Sequence, residues 1–269
     1  VVDCIVFWTK NPENMLSRLG DLSAYPYYFQ FTLTSYGRDI EPYLPSKKDC
    51  LIPVFQSLAA RIGKDRMVWR YDPILLNMRY TVSYHLDAFA QIAERLRGCT
   101  EKVVISFVDL YSKTQRNTRG LSITPPQGKV LLNMVQHLVR IAANNGMVVE
   151  TCSETIDLQD LGVQHGHCID ARQIERIIGV PLRGKKDRNQ RVTCGCMESI
   201  DIGAYHTCGN GCKYCYANFS PQKVAETVRL YKETSPLLCG QIGPKDHIIE
   251  RNVQSFREEQ LRFDREMDG

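Results

Sequence analysis

The sequence predicts an α/β fold built on a parallel sheet that closes into a partial or complete (β/α) barrel. Six short runs of apolar, β-branched and aromatic residues alternate with longer segments of helical periodicity, the pattern of repeated strand–helix units. No block of successive strands lacks helices between them, so no separate all-β domain is indicated. An open, doubly wound sheet satisfies the same alternation and is the alternative architecture.

The predicted strands are the runs in which β-branched and aromatic residues concentrate, beginning with CIVFW and YFQFTL. Short, almost continuously apolar runs of this kind fit the buried strands of a parallel sheet. In chain order the six span residues 4–8, 28–33, 67–71, 103–108, 147–149 and 199–202.

A helix is predicted after each strand. Phe89, Ile92 and Leu96 show the spacing of one helical face. Gly63 and Gly146 end two of the helices, and Pro221 begins the last one. The predicted helices span residues 14–19, 51–62, 86–96, 130–143, 174–178 and 222–231.

Length and composition indicate a single barrel-like domain over residues 1–269, with a Cys-rich loop at 194–215 and a C-terminal helix and tail. Its 43% hydrophobic and 24% charged residues are the balance of a globular protein. No apolar run approaches the roughly 18 residues of a membrane span, and the first ten residues lack a signal-peptide pattern. We therefore expect a cytoplasmic protein with no membrane partner. The net charge of +4 suits an anionic substrate without selecting one.

Eleven cysteines are the most unusual feature of the composition. An odd number cannot pair completely into disulfides, and a chain of this length does not need them. In a reducing cytosol, clustered cysteines are more often metal ligands than bridges. The isolated cysteines are expected to be packing residues; they are Cys4, Cys50, Cys99 and Cys239.

The strongest local signal is the C-x3-C-x2-C segment of Cys208, Cys212 and Cys215. Three thiolates so close in sequence can bind three irons of a [4Fe–4S] cluster and leave the fourth iron open to a small molecule. Gly209 and Gly211 allow the backbone between them to turn sharply. Zinc is the alternative, but it takes four ligands, usually as two separated pairs.

This segment resembles the radical SAM signature, C-x3-C-x-aromatic-C, with Tyr214 at the aromatic position. The resemblance implies that S-adenosylmethionine (SAM) binds the open iron and that Tyr214 lies near its adenine. It also implies a partial barrel whose cluster loop joins the first strand to the first helix. Because the loop here follows the sixth predicted strand, the resemblance implies either a circularly permuted barrel of that kind or convergence on the same loop.

A second resemblance is carried by FWTKNP at 7–12, YDP at 71–73, CGC at 194–196, SIDIGAY at 199–205 and CYAN at 215–218. Over nearly its whole length, the sequence is similar to the bacterial family called domain of unknown function 1848. This resemblance implies an iron–sulfur, radical-SAM-like protein and leaves the substrate unidentified.

Four more cysteines are predicted at the same edge of the barrel. Four thiolates can bind a second iron–sulfur cluster or a zinc ion, with His165 and His167 as alternative ligands. Free cysteines can equally be small buried hydrophobic residues. The set consists of Cys152 at the end of the fifth strand, Cys168 in the next loop, and the C-x-C pair Cys194 and Cys196.

Polar residues follow the predicted strands, where barrel enzymes carry their catalytic groups. Lys10, Arg70 and Asp72 can bind the amine and carboxylate of SAM or the substrate, although Asp72 also precedes Pro73 in a turn-forming pair. A basic run at 183–191 can hold phosphate groups or form a solvated loop. The candidate catalytic residues are Lys10, Arg70, Asp72, Asp109 and Tyr205.

These observations predict an enzyme in which a reduced cluster cleaves SAM and starts radical chemistry on an unknown substrate, with a nucleotide or nucleic acid among the candidates. Such an enzyme needs a cytosolic electron donor such as flavodoxin or ferredoxin. Two other classes stay open: an iron–sulfur redox or binding protein that does not bind SAM, and a zinc-stabilised nucleic-acid-binding protein.

Overall fold

Six parallel strands form a sheet in which the order of the strands is their order in the chain. The computed structural model describes residues 1–108, 112–154, 156–218 and 220–258. The strands are β1 (Ile5–Thr9), β2 (Tyr27–Thr32), β3 (Met67–Ile74), β4 (Lys102–Phe107), β5 (Val148–Cys152) and β6 (Gln164–Gly166). Because all five pairings are parallel, the strands end at one edge, here called the carboxyl edge.

Helices connect most of these strands. Side-chain caps begin three of them: the oxygens of Thr81, Asp170 and Ser220 each accept a hydrogen bond from a backbone N–H in the first turn. A 3₁₀ helix at Glu13–Leu22 follows β1, and a π-helical turn at Lys47–Leu51 leads into α1. The α-helices are α1 (Ile52–Ile62), α2 (Val82–Arg95), α3 (Ser112–Thr118), α4 (Gly128–Asn144), α5 (Ala171–Ile178) and α6 (Pro221–Leu230).

The two faces of the sheet are covered differently. On the helix face, Phe31 packs against Phe55 of α1 at 5.0 Å between ring centroids, and Trp69 stacks on Phe89 of α2 at 4.7 Å. Residues of α4 complete this core. Strand residues alternate between faces, so α1, α2 and α4 all lie on the side to which Phe31 and Trp69 point.

The other side is the second face of the sheet. Tyr28, Val68 and Val104 point to it and pack against Ile174 of α5 and Met197. The cover here is therefore the chain that follows β6. Side chains two residues further along each of these strands point the same way. These later side chains are polar, so the second face carries polar groups at the carboxyl edge.

The predicted parallel α/β architecture is confirmed, and five predicted strands correspond to β1–β5. The sixth prediction is wrong: residues 199–202 form no strand, and the sixth strand is Gln164–Gly166, which pairs with β5. Ile200 and Ile202 are exposed, so their alternating pattern does not reflect a buried face. The Cys-rich loop therefore does not emerge from a strand.

The predicted helices are present, with α2, α4 and α5 each beginning two to four residues earlier than expected. The predicted helix at 14–19 is a 3₁₀ helix. The strand order contains no reversal of the kind that creates a switch point in a doubly wound sheet. Within the described residues, no helix combines the length and apolar character needed to cross a bilayer.

Candidate metal centre

A buried carboxylate organises the carboxyl edge beside β1 and β2. Glu41 lies in the loop after β2 with only 1% of its surface exposed. It accepts hydrogen bonds from Lys10 at 2.9 Å, Lys47 at 2.5 Å, Thr34 at 2.8 Å and the hydroxyl of Tyr214. These five residues, here called the Glu41 cluster, join the ends of β1 and β2 to the Cys-rich loop.

The charge of Glu41 is stabilised where it lies. Burial alone raises the pKa of a carboxyl group, but the two lysine charges and the hydrogen bonds outweigh it and hold the pKa of Glu41 at about 2. Lys10 and Lys47 are themselves largely buried, so their attraction to Glu41 is weakly screened by solvent. The site is thus a compact arrangement of two cations around one anion.

Tyr214 connects this arrangement to the cysteines. Its hydroxyl donates to Glu41, its ring lies 5.9 Å from that of Tyr36, and the Lys10 ammonium is 5.2 Å from its centroid. Burial, followed by the charge of Glu41, raises the pKa of Tyr214 well above its usual value. The aromatic position of the C-x3-C-x2-C segment is therefore an anchor of the loop in this structure.

Backbone hydrogen bonds fix the rest of the loop. The N–H of Lys213 donates to the carbonyl of Ile40 at 3.0 Å, and that of Cys215 donates to the carbonyl of Cys212 at 3.1 Å. Asn218 donates its side-chain amide to the carbonyl of Cys208 at 2.8 Å. The loop is tied to the chain around Glu41 at one end and closed on itself at the other.

Gly211 meets two separate requirements. Its φ is +66°, in the region that disfavours side chains, and an added Cβ would lie 2.7 Å from the ring of Tyr43. Gly209 differs, because an added Cβ there meets nothing within 4 Å and its φ is not positive. The predicted role of glycine in the turn therefore applies to Gly211 and not to Gly209.

The three cysteines differ in exposure. Cys208 is exposed, Cys212 is buried and Cys215 is half-buried. Burial raises the pKa of Cys212 to about 12; Lys10 acts against this, while Glu41 and the other two thiols add to it. Among the described residues, no three His, Cys, Asp or Glu side chains are arranged to hold a metal ion.

The second set of cysteines lies at the carboxyl edge near β3, β5 and β6. The sulfurs of Cys152 and Cys168 are 3.2 Å apart. Arg70, 6% exposed on the second face, donates to Cys168 Sγ at 2.9 Å and pairs with Asp72 through two hydrogen bonds of 3.1 and 2.5 Å. Two candidate residues for SAM or substrate binding, Arg70 and Asp72, thus already bind each other.

The remaining candidates are Tyr205, Asp109 and the basic run at 183–191. Tyr205 is 55% exposed, and its ring makes an edge contact with Tyr216 at 6.5 Å. Asp109 lies outside the described residues. The basic run is mostly exposed, with Arg183 paired to Glu258 at 2.5 Å.

Sequence reasoning missed the most connected residue of the site. Glu41 lies in an irregular loop, and nothing in its neighbourhood distinguishes it from a solvated carboxylate. Lys47 was missed for the same reason. Trp8 is also absent from the predicted site, although it is 50% exposed near the carboxyl end of β1, in register with Gln30. Its exposure is visible only in the fold, so the sequence carries no signal for it.

Comparison with known proteins gives a family and no activity. No curated protein matches the chain. A family model described as "Domain of unknown function (DUF1848)" matches residues 1–217, which include the sheet, both sets of cysteines and the Glu41 cluster. The chain belongs to the DUF1848 family.

Proposed function

We propose that this protein is an iron–sulfur enzyme of the radical SAM type. Cys208, Cys212 and Cys215 would hold a [4Fe–4S] cluster. The observation that carries the proposal is a three-cysteine loop fastened to the carboxyl edge of a parallel sheet through Tyr214 and Glu41. The carboxyl edge is where enzymes with parallel sheets bind substrates and cofactors.

The cysteine loop fits a cluster better than a single ion. The ligands of a zinc ion all lie within about 2.3 Å of one point. A cuboidal cluster takes one thiolate per iron, so its thiolates stand further apart. The loop also supplies three thiols, one fewer than the four ligands of a zinc ion, and three thiolates leave one iron of a cluster open.

When bound, such a cluster would supply one electron to SAM, whose sulfonium S–C5′ bond would break to give methionine and a 5′-deoxyadenosyl radical. The chain's own residues set the surroundings. Lys10 and Lys47 place positive charge beside the loop, which favours an anionic cluster and its thiolates. Glu41 holds both lysines and Tyr214 in position. The buried face of the loop, around Cys212, keeps water from that side.

Trp8 is our candidate for contact with a flat ring. Its half-exposed side chain lies on the second face, near the end of β1 and one residue before the strand terminus. Base–aromatic stacking is worth about 1–3 kcal/mol per base in single-stranded nucleic acid complexes. The exposed basic run at 183–191 is compatible with the same class of substrate, a nucleotide or nucleic acid.

The proposal extends to the fold and the partners. We propose that the sheet is a partial (β/α) barrel, because its strands follow chain order and α1, α2 and α4 cover one face. The Cys-rich loop reaches the β1 end of that sheet from the C-terminal part of the chain. A cytoplasmic electron donor such as flavodoxin or ferredoxin would reduce the cluster.

A specific observation favours a second candidate, an iron–sulfur redox or binding protein that does not use SAM. The loop does not follow a strand, since residues 199–202 are irregular and largely exposed. The strand–loop–helix context of the radical SAM signature is therefore incomplete. The third class, a zinc-stabilised nucleic-acid-binding protein, requires zinc at the three-cysteine loop.

The test is anaerobic reconstitution with iron and sulfide, followed by a reductant and SAM. We expect the wild type to form 5′-deoxyadenosine, while Cys212→Ser forms none. Cys99→Ser is the matched control, because Cys99 is a half-buried packing residue away from the loop and should leave the activity unchanged. A protein that carries the cluster and leaves SAM intact would overturn the proposal in favour of the redox or binding protein.

A further inference from the structure

Four cysteines from separate parts of the chain come together beyond the end of β5; they are here called the thiol line. Cys152 Sγ lies 3.2 Å from Cys168 Sγ. The residue after Cys168, Ile169, donates its backbone N–H to Cys196 Sγ at 3.3 Å, and Cys194 is two residues before Cys196. The line runs from the end of β5 to the C-x-C pair, across positions up to 44 residues apart in sequence.

Hydrogen-bond donors are directed at the sulfurs. Arg70 donates to Cys168 Sγ at 2.9 Å, and the backbone N–H of Ile169 donates to Cys196 Sγ at 3.3 Å. A neutral thiol is a weak acceptor, whereas thiolates attract cations and N–H groups. Donors of this kind around ligand sulfurs also characterise metal–thiolate sites, where they orient the ligands.

Hydrogen bonds and packing place the C-x-C pair beside the other two cysteines. Backbone hydrogen bonds join Met197 N–H to the carbonyl of Ile169 at 3.1 Å and Asp187 N–H to the carbonyl of Cys196 at 2.9 Å. The ring of His167 lies against Gly195, where an added Cβ would come within 1.8 Å of it. Only glycine fits between Cys194 and Cys196 with the ring in this place.

We propose that Cys152, Cys168, Cys194 and Cys196 bind a single metal ion of the zinc class, at a site separate from the three-cysteine loop. An all-thiolate tetrahedral set selects zinc, or iron in the same geometry. Four thiolates about 2.3 Å from one ion stand about 3.8 Å apart, and the sulfurs of Cys152 and Cys168 are 3.2 Å apart. The thiolates of a [4Fe–4S] cluster stand further apart, since each binds a different iron.

Binding requires one rearrangement. In the part of the chain that the structure describes, no three such side chains already enclose an ion. The four sulfurs must therefore come closer together when the ion binds. Cys194 and Cys196 belong to an irregular segment, which can move more easily than a strand. His167, packed beside the pair, is the nearest alternative to Cys194 as the fourth ligand.

The first experiment separates this site from the proposed cluster. The triple variant C208S/C212S/C215S lacks the three-cysteine loop ligands, so any remaining metal belongs elsewhere. We expect it to retain one zinc or iron per chain without acid-labile sulfide. Replacing that ion with Co²⁺ should give the strong absorption of red light that marks tetrahedral cobalt–thiolate coordination. Loss of all metal, or retained sulfide, would overturn the single-ion site.

The second experiment uses intact ligands and one matched pair of variants. Native mass spectrometry of the wild type should show one ion besides the cluster irons, and a mass without it would refute the site. Cys168→Ser should lose the ion and keep the four irons and four sulfides of the loop, while Cys99→Ser should keep both. The inference does not depend on SAM chemistry, so each proposal can fail while the other stands.

Discussion

Replacing Glu41 with glutamine should destabilise the protein by about 3 kcal/mol at neutral pH. The side chain keeps its size but loses the charge that Lys10 and Lys47 share. Lowering the pKa of Glu41 from its ordinary 4.5 to about 2 corresponds to about 3 kcal/mol, at about 1.4 kcal/mol for each tenfold change. Removing one partner of a buried ion pair costs about 3–5 kcal/mol of stability, which is consistent with the value from the pKa of Glu41.

The measurement is urea unfolding of the wild type and E41Q. The pH dependence supplies a second readout. Because the folded-state pKa of Glu41 is depressed, its contribution is fully present above pH 4.5 and is lost as the pH falls towards about 2. The difference between the two proteins should therefore be constant above pH 5 and shrink steadily below pH 4.5.

Glu226→Gln is the matched control, since Glu226 is exposed on α6 and its loss should change stability by less than about 0.5 kcal/mol. E41Q should also lower the iron retained by the reconstituted protein, because Tyr214 loses its anionic partner. E41Q could instead unfold at the same urea concentration as the wild type at pH 7. That result would mean that the free-energy cost of burying the Glu41 charge cancels its attraction to the two lysines. The Glu41 cluster would then not be what fixes the loop.

Two further predictions concern glycines. Gly211→Ala should lower cluster occupancy severalfold, because the φ of Gly211 is positive and the new Cβ would meet Tyr43. Gly209→Ala is the control and should leave cluster occupancy unchanged. Equal loss of the cluster in both variants would refute the distinction between the two glycines. Gly195→Ala should abolish the ion of the thiol line, measured by zinc content, because the Cβ displaces His167; retention of the ion would show that this packing is dispensable.

Local sequence predicts much of the sheet, because short buried parallel strands are recognisable as apolar runs. β6 could not be found in this way. The strand contains no apolar side chain, since it consists of Gln164, His165 and Gly166. It forms because its backbone pairs with that of β5. The apolar alternation at 199–202 failed for the converse reason, since no neighbouring strand pairs with it.

The candidate site also has one part that the local sequence predicts and one part that it does not. The cysteine spacing is local, so Cys208, Cys212 and Cys215 could be recognised from the sequence. The Glu41 cluster depends on tertiary burial, because Glu41 is unusual only once Lys10, Lys47 and Tyr214 surround it. Contacts between residues far apart in the chain leave no spacing pattern to detect.

The proposed activity requires that the cluster at the three-cysteine loop keeps one iron open to SAM. The most direct measurement is the electron paramagnetic resonance spectrum of the anaerobically reconstituted, reduced protein, recorded with and without SAM. If SAM binds that iron, it changes the g-values of the cluster signal. An unchanged spectrum at saturating SAM, with a full complement of four irons and four sulfides, would contradict it.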